Sequence, residues 1–259
     1  MTGQVSASDQ INGGAGTDTL KMYGTYDSTK MPLSISGIEV LQIATAADAH
    51  LDLSTYTKAA NGVEKVIIDD ASLISGKKVT TGDDQTLSLA TGTTNKATTG
   101  TVTWQTSNTA TSANLILNGY QGGKGVTAAD LTIVGTLVKT QNIASTGAAN
   151  KVDDLTLGDA TDKVVITGDK ALTVVTDLVS SAGATVLKTV DASAATGGVA
   201  ITLKASTNAA FAFTGGSGND AVKFADDGLA ALTSGAQLDG GAGTGDKIGI
   251  LDTAISAAE

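Results

Sequence analysis

The residues with chemical capacity in this chain are oxygens carried on glycine-rich turns. Thr214-Gly215-Gly216-Ser217-Gly218-Asn219-Asp220-Ala221-Val222-Lys223 reads, from Gly215, as Gly, Gly, any, Gly, any, Asp, any, large apolar, any. Glycine visits positive φ and lets backbone carbonyls crowd around one point. The Asp that closes the turn adds a hard anionic oxygen. The apolar residue two places on starts a short strand that points inward. Carbonyls together with a carboxylate are the donors that calcium prefers. Gly13-Gly14-Ala15-Gly16-Thr17-Asp18-Thr19-Leu20-Lys21 matches at every defined position. Gly240-Gly241-Ala242-Gly243-Thr244-Gly245-Asp246-Lys247-Ile248 matches with one extra residue, Gly245, before the Asp. The donors expected at the first turn are Asp9, Asn12, Gly13, Ala15, Thr17 and Asp18. At the second they are Gly215, Ser217, Asn219 and Asp220. At the third they are Gly240, Ala242, Thr244 and Asp246, with Asp239 placed to replace a ligand displaced by the Gly245 insertion.

Other chemistries are hard to assemble from this composition. There is no Cys, which excludes a disulfide framework and a Cys-based zinc site. His50 is the single His and has no nucleophile elbow beside it, and a zinc-protease helix needs two His. All 16 basic residues are Lys, so the Arg that neutralises charge in many polysaccharide lyases is missing. Asp69-Asp70 and Asp153-Asp154 are adjacent, and strand neighbours face opposite sides, so neither pair reads as an acid and base. They read as turn or calcium carboxylates. The Gly119-to-Gly125 loop lacks the Gly-Lys-Ser/Thr ending of a phosphate loop. The chain is therefore expected not to be an enzyme. A net charge of −10 disfavours nucleic acid, which wants a basic stripe, and suits divalent cations. No apolar run approaches the length of a membrane span. The start of the chain lacks a basic-then-apolar leader, and both ends read as if cut from a longer repeat array.

These turns need strands to hold them. Aromatic residues make up only 3% of the chain, and the apolar load is Ala, Val, Leu and Ile with Thr and Ser between. That palette suits many short strands and a thin core. Ser36-Gly37-Ile38-Glu39-Val40-Leu41-Gln42-Ile43 recurs as Asn61-Gly62-Val63-Glu64-Lys65-Val66-Ile67-Ile68, 25 residues later. Gly215 and Gly240 are also 25 apart. One offset shared by two unrelated motifs predicts stacked coils of about that length, each with two or three short strands. The expected fold is all-β, a parallel β-solenoid or β-roll with Gly-Asp calcium turns. The alternative is a set of β-sandwich domains joined by such turns. Three segments are expected. Residues 1–70 form a solenoid with the first motif, 71–150 a Thr-rich and less regular β segment, and 151–259 a solenoid with the other two. Asp226 to Leu232 reads as a short helix.

The nonapeptide resembles the calcium-binding repeat of RTX proteins. With the Val190-to-Val199 string, the Gly-Ile/Val-Glu strands and Leu51-Asp52-Leu53-Ser54, the chain is similar to RTX-type surface-layer proteins of Gram-negative bacteria, of the Caulobacter kind. The similarity covers most of residues 1–70 and 150–259. It implies calcium as cofactor, secretion to the cell surface, and copies of the same chain as partners in a lattice. Attachment to cell-surface polysaccharide is expected through parts not in this chain. A calcium-rigidified adhesin module and a secreted β-helix carbohydrate enzyme are the competing readings.

Overall fold

The computed structural model describes residues 9–23, 34–44, 50–74, 76–90, 100–122, 131–183, 186–203, 208–225, 232 and 235–250. Its strands are short, and most alternate buried with more exposed residues along their length. The first are β1 (Gln10–Asn12), β2 (Thr19–Met22), β3 (Ser34–Ser36), β4 (Val40–Ile43), β5 (Leu51–Asp52) and β6 (Lys65–Ile68). Next come β7 (Lys78–Thr80), β8 (Thr86–Ala90), β9 (Val102–Gln105), β10 (Ser112–Asn118), β11 (Leu131–Val134) and β12 (Thr140–Thr146). Then follow β13 (Asn150–Leu157), β14 (Lys163–Gly168), β15 (Leu172–Ser180), β16 (Thr189–Ala195) and β17 (Val199–Leu203). The last are β18 (Ala212–Thr214), β19 (Ala221–Phe224), β20 (Gln237–Asp239) and β21 (Lys247–Ile250).

Even-numbered strands form one ten-stranded sheet in chain order, β2 to β20. Odd-numbered strands form a nine-stranded sheet, β5 to β21, and β1 pairs with β3. Every pairing between these strands is parallel. The molecule is a β-solenoid with two strands to each coil. Sandwich domains, the alternative fold, are excluded, because sandwiches are built of antiparallel sheets. The 25-residue step holds from β4 to β6 and from β18 to β20. It is not constant: β2 to β4 takes 21 residues and β8 to β10 takes 28. Register is kept within most strand pairs and shifts inside β13–β15 and β14–β16, and the turns absorb the rest of the difference. Residues 71–150 carry β7 to β12, which continue both sheets without a break in strand order.

Parallel strands stacked about 4.8 Å apart put equivalent side chains into columns. Leu20, Leu41, Val66, Leu87, Leu115, Ile143 and Ile166 form one such column on the even sheet. Leu51, Val79, Trp104 and Ile133 form another on the odd sheet, all at most 1% exposed. Trp104, the single Trp, is a core residue whose Nε1 donates to the Thr81 hydroxyl at 3.0 Å. Between the sheets lies a thin apolar core, and Leu or Ile burial there contributes about 1.5–3 kcal/mol per side chain. Most of the segment read as a short helix, 226–231, lies outside the described residues, as do residues 91–99 of the Thr-rich run from Ala90 to Ala113. A single turn of helix, α1 (Lys58–Asn61), was not signalled by the sequence pattern. Thr57 caps its start through Ala60 N–H, and Gly62 ends it at φ 87°. Among the described residues no helix is long and apolar enough to cross a membrane.

Candidate metal centre

Alternation of the sheets gives the solenoid two edges. Turns that leave odd strands gather on one, and turns that leave even strands on the other. The first motif follows β1, whereas the second and third follow β18 and β20. The three motifs therefore lie on opposite edges, which spacing in the sequence did not reveal.

At the C-terminal edge the second and third motifs are stacked, as their 25-residue offset predicts. Thr214 pairs with Asp239, and Gly215 N–H donates to the Asp239 carbonyl at 2.7 Å. Ala242 N–H donates to the Gly216 carbonyl at 2.7 Å. The backbones are so close that no Cβ fits: a methyl group on Gly215 would collide with the Gly240 carbonyl, and one on Gly241 would lie 2.5 Å from the Gly215 oxygen. The paired glycines are thus required by backbone-to-backbone contact between coils.

Carboxylates close these turns from below. Asp220 is 2% exposed. Its Oδ2 accepts Gly216 N–H at 2.8 Å, and its Oδ1 accepts Val199 N–H from the preceding coil at 2.6 Å. One coil on, Asp246 Oδ1 accepts Asp220 N–H at 2.8 Å. Val199, Asp220 and Asp246 occupy one register position: Val199 opens β17, and the two Asp stand just ahead of β19 and β21. Each carboxylate reaches down to the N–H of the residue beneath it. The same step occurs in mid-stack with a neutral amide, where Tyr120 N–H donates to Asn150 Oδ1 at 2.6 Å. Gly245, the inserted residue, rests on Asn219, whose Oδ1 accepts its N–H at 3.1 Å. The insertion is a local bulge held by the coil below. Asp239 Oδ1 accepts Gly241 N–H at 2.9 Å and so forms the entry to the third turn. Ser217, Ala242 and Thr244 are exposed on the outer rim of the turns.

The first motif has a different neighbour. Gly13 N–H donates to the Ser36 carbonyl at 3.0 Å, so this turn sits on Ser36-Gly37-Ile38-Glu39. Gly37 has φ 57°, and a methyl group there would lie 2.7 Å from the Gly14 carbonyl oxygen. Asn12 Oδ1 accepts Gly14 N–H at 2.9 Å. Asp18 N–H donates to Glu39 Oε2 at 2.7 Å, and Asp18 Oδ2 is buried with no hydrogen-bond partner among the described residues. Asp18, Glu39, Glu64 and Gln85 share one register position ahead of β2, β4, β6 and β8. Ala15 and Thr17 are exposed in the turn, and Asp9 lies directly before β1. The reading of the residues did not single out Glu39 as a site residue. Its signal was present in the Gly-Ile-Glu and Gly-Val-Glu repeat.

Of the adjacent acidic pairs read as turn or calcium carboxylates, Asp153-Asp154 lies within a strand and Asp69-Asp70 just after one. Asp153 and Asp154 lie inside β13, at a register shift in its pairing with β15, and Asp153 pairs with Lys151 at 2.8 Å. Asp69 follows β6 and holds Lys21 at 3.1 Å and Gln42 Nε2 at 2.6 Å. Among the described residues no three His, Asp or Glu side chains converge. Any cation on these edges must take most of its oxygens from turn carbonyls. That composition fits a hard ion such as calcium and not zinc, which wants Cys or His. The buried, unpartnered Asp18 Oδ2 and the glycine cradle at Gly215 and Gly240 are the features that fit it. Comparisons with protein-family models, with curated proteins and with solved structures find no match.

Proposed function

We propose that this chain is a structural segment of a secreted surface-layer protein, folded and assembled into a lattice with calcium, and not an enzyme. The observation that carries the reading is the stacked pair of motif turns. In it Gly215–Asp220 lies on Gly240–Asp246 with backbone against backbone and a carboxylate closing each turn. Calcium there would draw on turn carbonyls of both coils together with Asp246. On the opposite edge it would draw on the Gly13–Asp18 turn and Asp18. Bound calcium offsets the repulsion of carboxylates brought together in turns, so its binding energy contributes to folding. A long, parallel, regular stack suits a lattice element, because its outer faces repeat from coil to coil. The absence of enzymatic chemistry is supported by His50, whose Nδ1 accepts Lys78 N–H at 2.8 Å. The test is imaging of the purified chain with and without millimolar calcium, beside a melt in excess chelator. Ordered sheets with calcium and a lowered melting temperature in chelator are expected. An unchanged melt in chelator would overturn the calcium part. Disordered, non-associating protein with calcium would count against lattice formation by this segment.

A second reading, a calcium-rigidified adhesin module, is favoured by one feature. A polar notch of about 540 Å³ opens on the edge beside the first motif's coils, lined by Asp52, Lys78, Thr80, Asp83, Gln105 and Asn108. Hydroxyl, amide and carboxylate groups of this kind suit a neutral sugar. Saturable binding of a soluble glycan without sheet formation would favour this reading over the first.

A further inference from the structure

The first motif lies on the opposite edge from the other two, and its neighbour is not a second glycine-rich motif. Its partner turn is Ser36-Gly37-Ile38-Glu39, and the contact between them is intimate. Gly13 N–H meets the Ser36 carbonyl, Gly37 packs on Gly14, and the Asp18 carbonyl accepts the N–H groups of both Glu39 and Val40 at 3.1 Å. Two carboxylates are brought together by this packing. Glu39 Oε2 lies 2.7 Å from Asp18 N, and Asp18 Oδ2 is buried and unpartnered among the described residues. Neither carboxylate has a Lys partner among the described ion pairs. The contrast one coil further on is instructive: Glu64, at the same register position, is exposed and paired with Lys58 at 3.0 Å. Half-buried carboxylates on facing turns repel unless a cation or proton lies between them.

We infer that the first cation site is built from two unlike turns, and that Glu39, from the Gly-Ile-Glu turn, is its second carboxylate beside Asp18. This rests on the calcium reading given above and extends it to a residue outside the nonapeptide. The ligand class is a hard divalent cation, with Asp18 Oδ2 and the free lone pairs of Glu39 as anionic donors and the carbonyls of Gly14 and Gly37 nearby. In this arrangement the Gly-Ile-Glu turn does for the first motif what the third motif does for the second. It supplies the facing half of the site from the adjoining coil.

Calcium titration calorimetry on the full chain tests this, with Glu39→Gln, Asp18→Asn and Glu64→Gln as variants. Glu39→Gln keeps an oxygen for Asp18 N–H and removes only the charge. The expected result is loss of one calcium, or weakening of one site by about tenfold or more, in Glu39→Gln and in Asp18→Asn, since charge count tunes such sites. Glu64→Gln should bind as the parent does. A melt with and without calcium accompanies each titration, and Glu39→Gln should lose part of the calcium-induced rise while matching the parent in chelator. If Asp18→Asn loses a site and Glu39→Gln binds as the parent, the inference falls and the calcium reading stands. If Glu39→Gln is destabilised equally with and without calcium, Glu39 has only a structural role and the inference falls. If the parent binds no calcium, the calcium reading fails and takes this inference with it.

Discussion

Asp220 uses both carboxylate oxygens on backbone N–H groups, from Val199 in the coil below and Gly216 in its own turn. A carboxylate accepting two such bonds in a buried position is a fastener between coils, whatever else it binds. Asp246 makes one bond of this kind, to Asp220 N–H. The two residues should therefore behave differently when calcium is removed. Asp220→Ala leaves two buried N–H groups without partners, at about 1–3 kcal/mol each. That loss should appear in denaturant melts even in excess chelator. Asp246→Ala should cost less in chelator, because it releases a single, part-buried N–H. Equal costs for the two in chelator would show that Asp220 is not the fastener its hydrogen bonds indicate. Gly215→Ala is expected to be at least as damaging as either, since its methyl group would meet the Gly240 carbonyl and the Asp220 Oδ2, the latter at 2.6 Å. Forcing such an overlap costs about 1–3 kcal/mol, and more where backbone cannot shift.

Three strands end on a local device that recurs inside β16, where its pairing with β14 shifts register. Asn12, Asp52, Asp191 and Asp239 each accept the N–H two residues on, as an Asx turn does. Asp191 is held below its ordinary pKa of 3.8, first by the Ser193 hydroxyl at 2.7 Å, then by Ser193 N–H and by Lys163 at 3.4 Å. Asp83 is lowered likewise by the hydroxyls of Ser107 and Thr109. A lowered folded-state pKa means that the stabilisation is complete above the unfolded value near 3.8 and is lost as pH falls through the folded value. Acid melts should thus show a loss of stability below about pH 4 that is smaller in Asp191→Asn. A pH profile identical to the parent's would remove Asp191 from this role. Device and coil were legible to different degrees in the sequence. Strand type followed from Leu-x-Leu and Val-x-Ile alternation, and the Gly215-to-Gly240 stacking followed from one offset. The edge on which a motif falls did not, because it depends on counting every strand between motifs, and β7 to β12 lie in a Thr-rich stretch with no complete Gly-Gly-x-Gly-x-Asp motif. Glu39 was visible as part of a repeat, but its carboxylate acquires meaning only when the coil above is placed on it.

Across the whole molecule, the terminal coils and the central coils are fastened by different chemistry. The described ends use carboxylates at the turn positions, namely Asp18 and Glu39 at one end and Asp220 and Asp246 at the other. The buried polar side chains that fasten the middle are neutral. Gln85 donates to the Tyr56 and Val63 carbonyls, Asn150 accepts Tyr120 N–H, Thr161 donates to the Val138 carbonyl at 2.9 Å, and Ser180 donates to the Gly158 carbonyl at 3.1 Å. All four residues are buried. Neutral groups satisfied inside the protein need no counter-ion, so the coils from β8 to β16 are expected to be stable without a cation. Parallel stacks in which each coil touches only its neighbours lose order from the ends, coil by coil. Removal of calcium should therefore fray the solenoid at both ends and leave its centre intact. Hydrogen exchange in excess chelator is the measurement. Amides of β2 and β4 and of β18 to β21 should exchange faster than in millimolar calcium, whereas those of β10, β12, β13 and β14 should keep their protection. Adding calcium back should restore the ends without a change at the centre. Uniform loss of protection in chelator would mean that the coils fold as one calcium-dependent unit and that the neutral fasteners do not hold the middle alone. Uniform retention would mean that the terminal carboxylates are satisfied by their N–H donors without any ion.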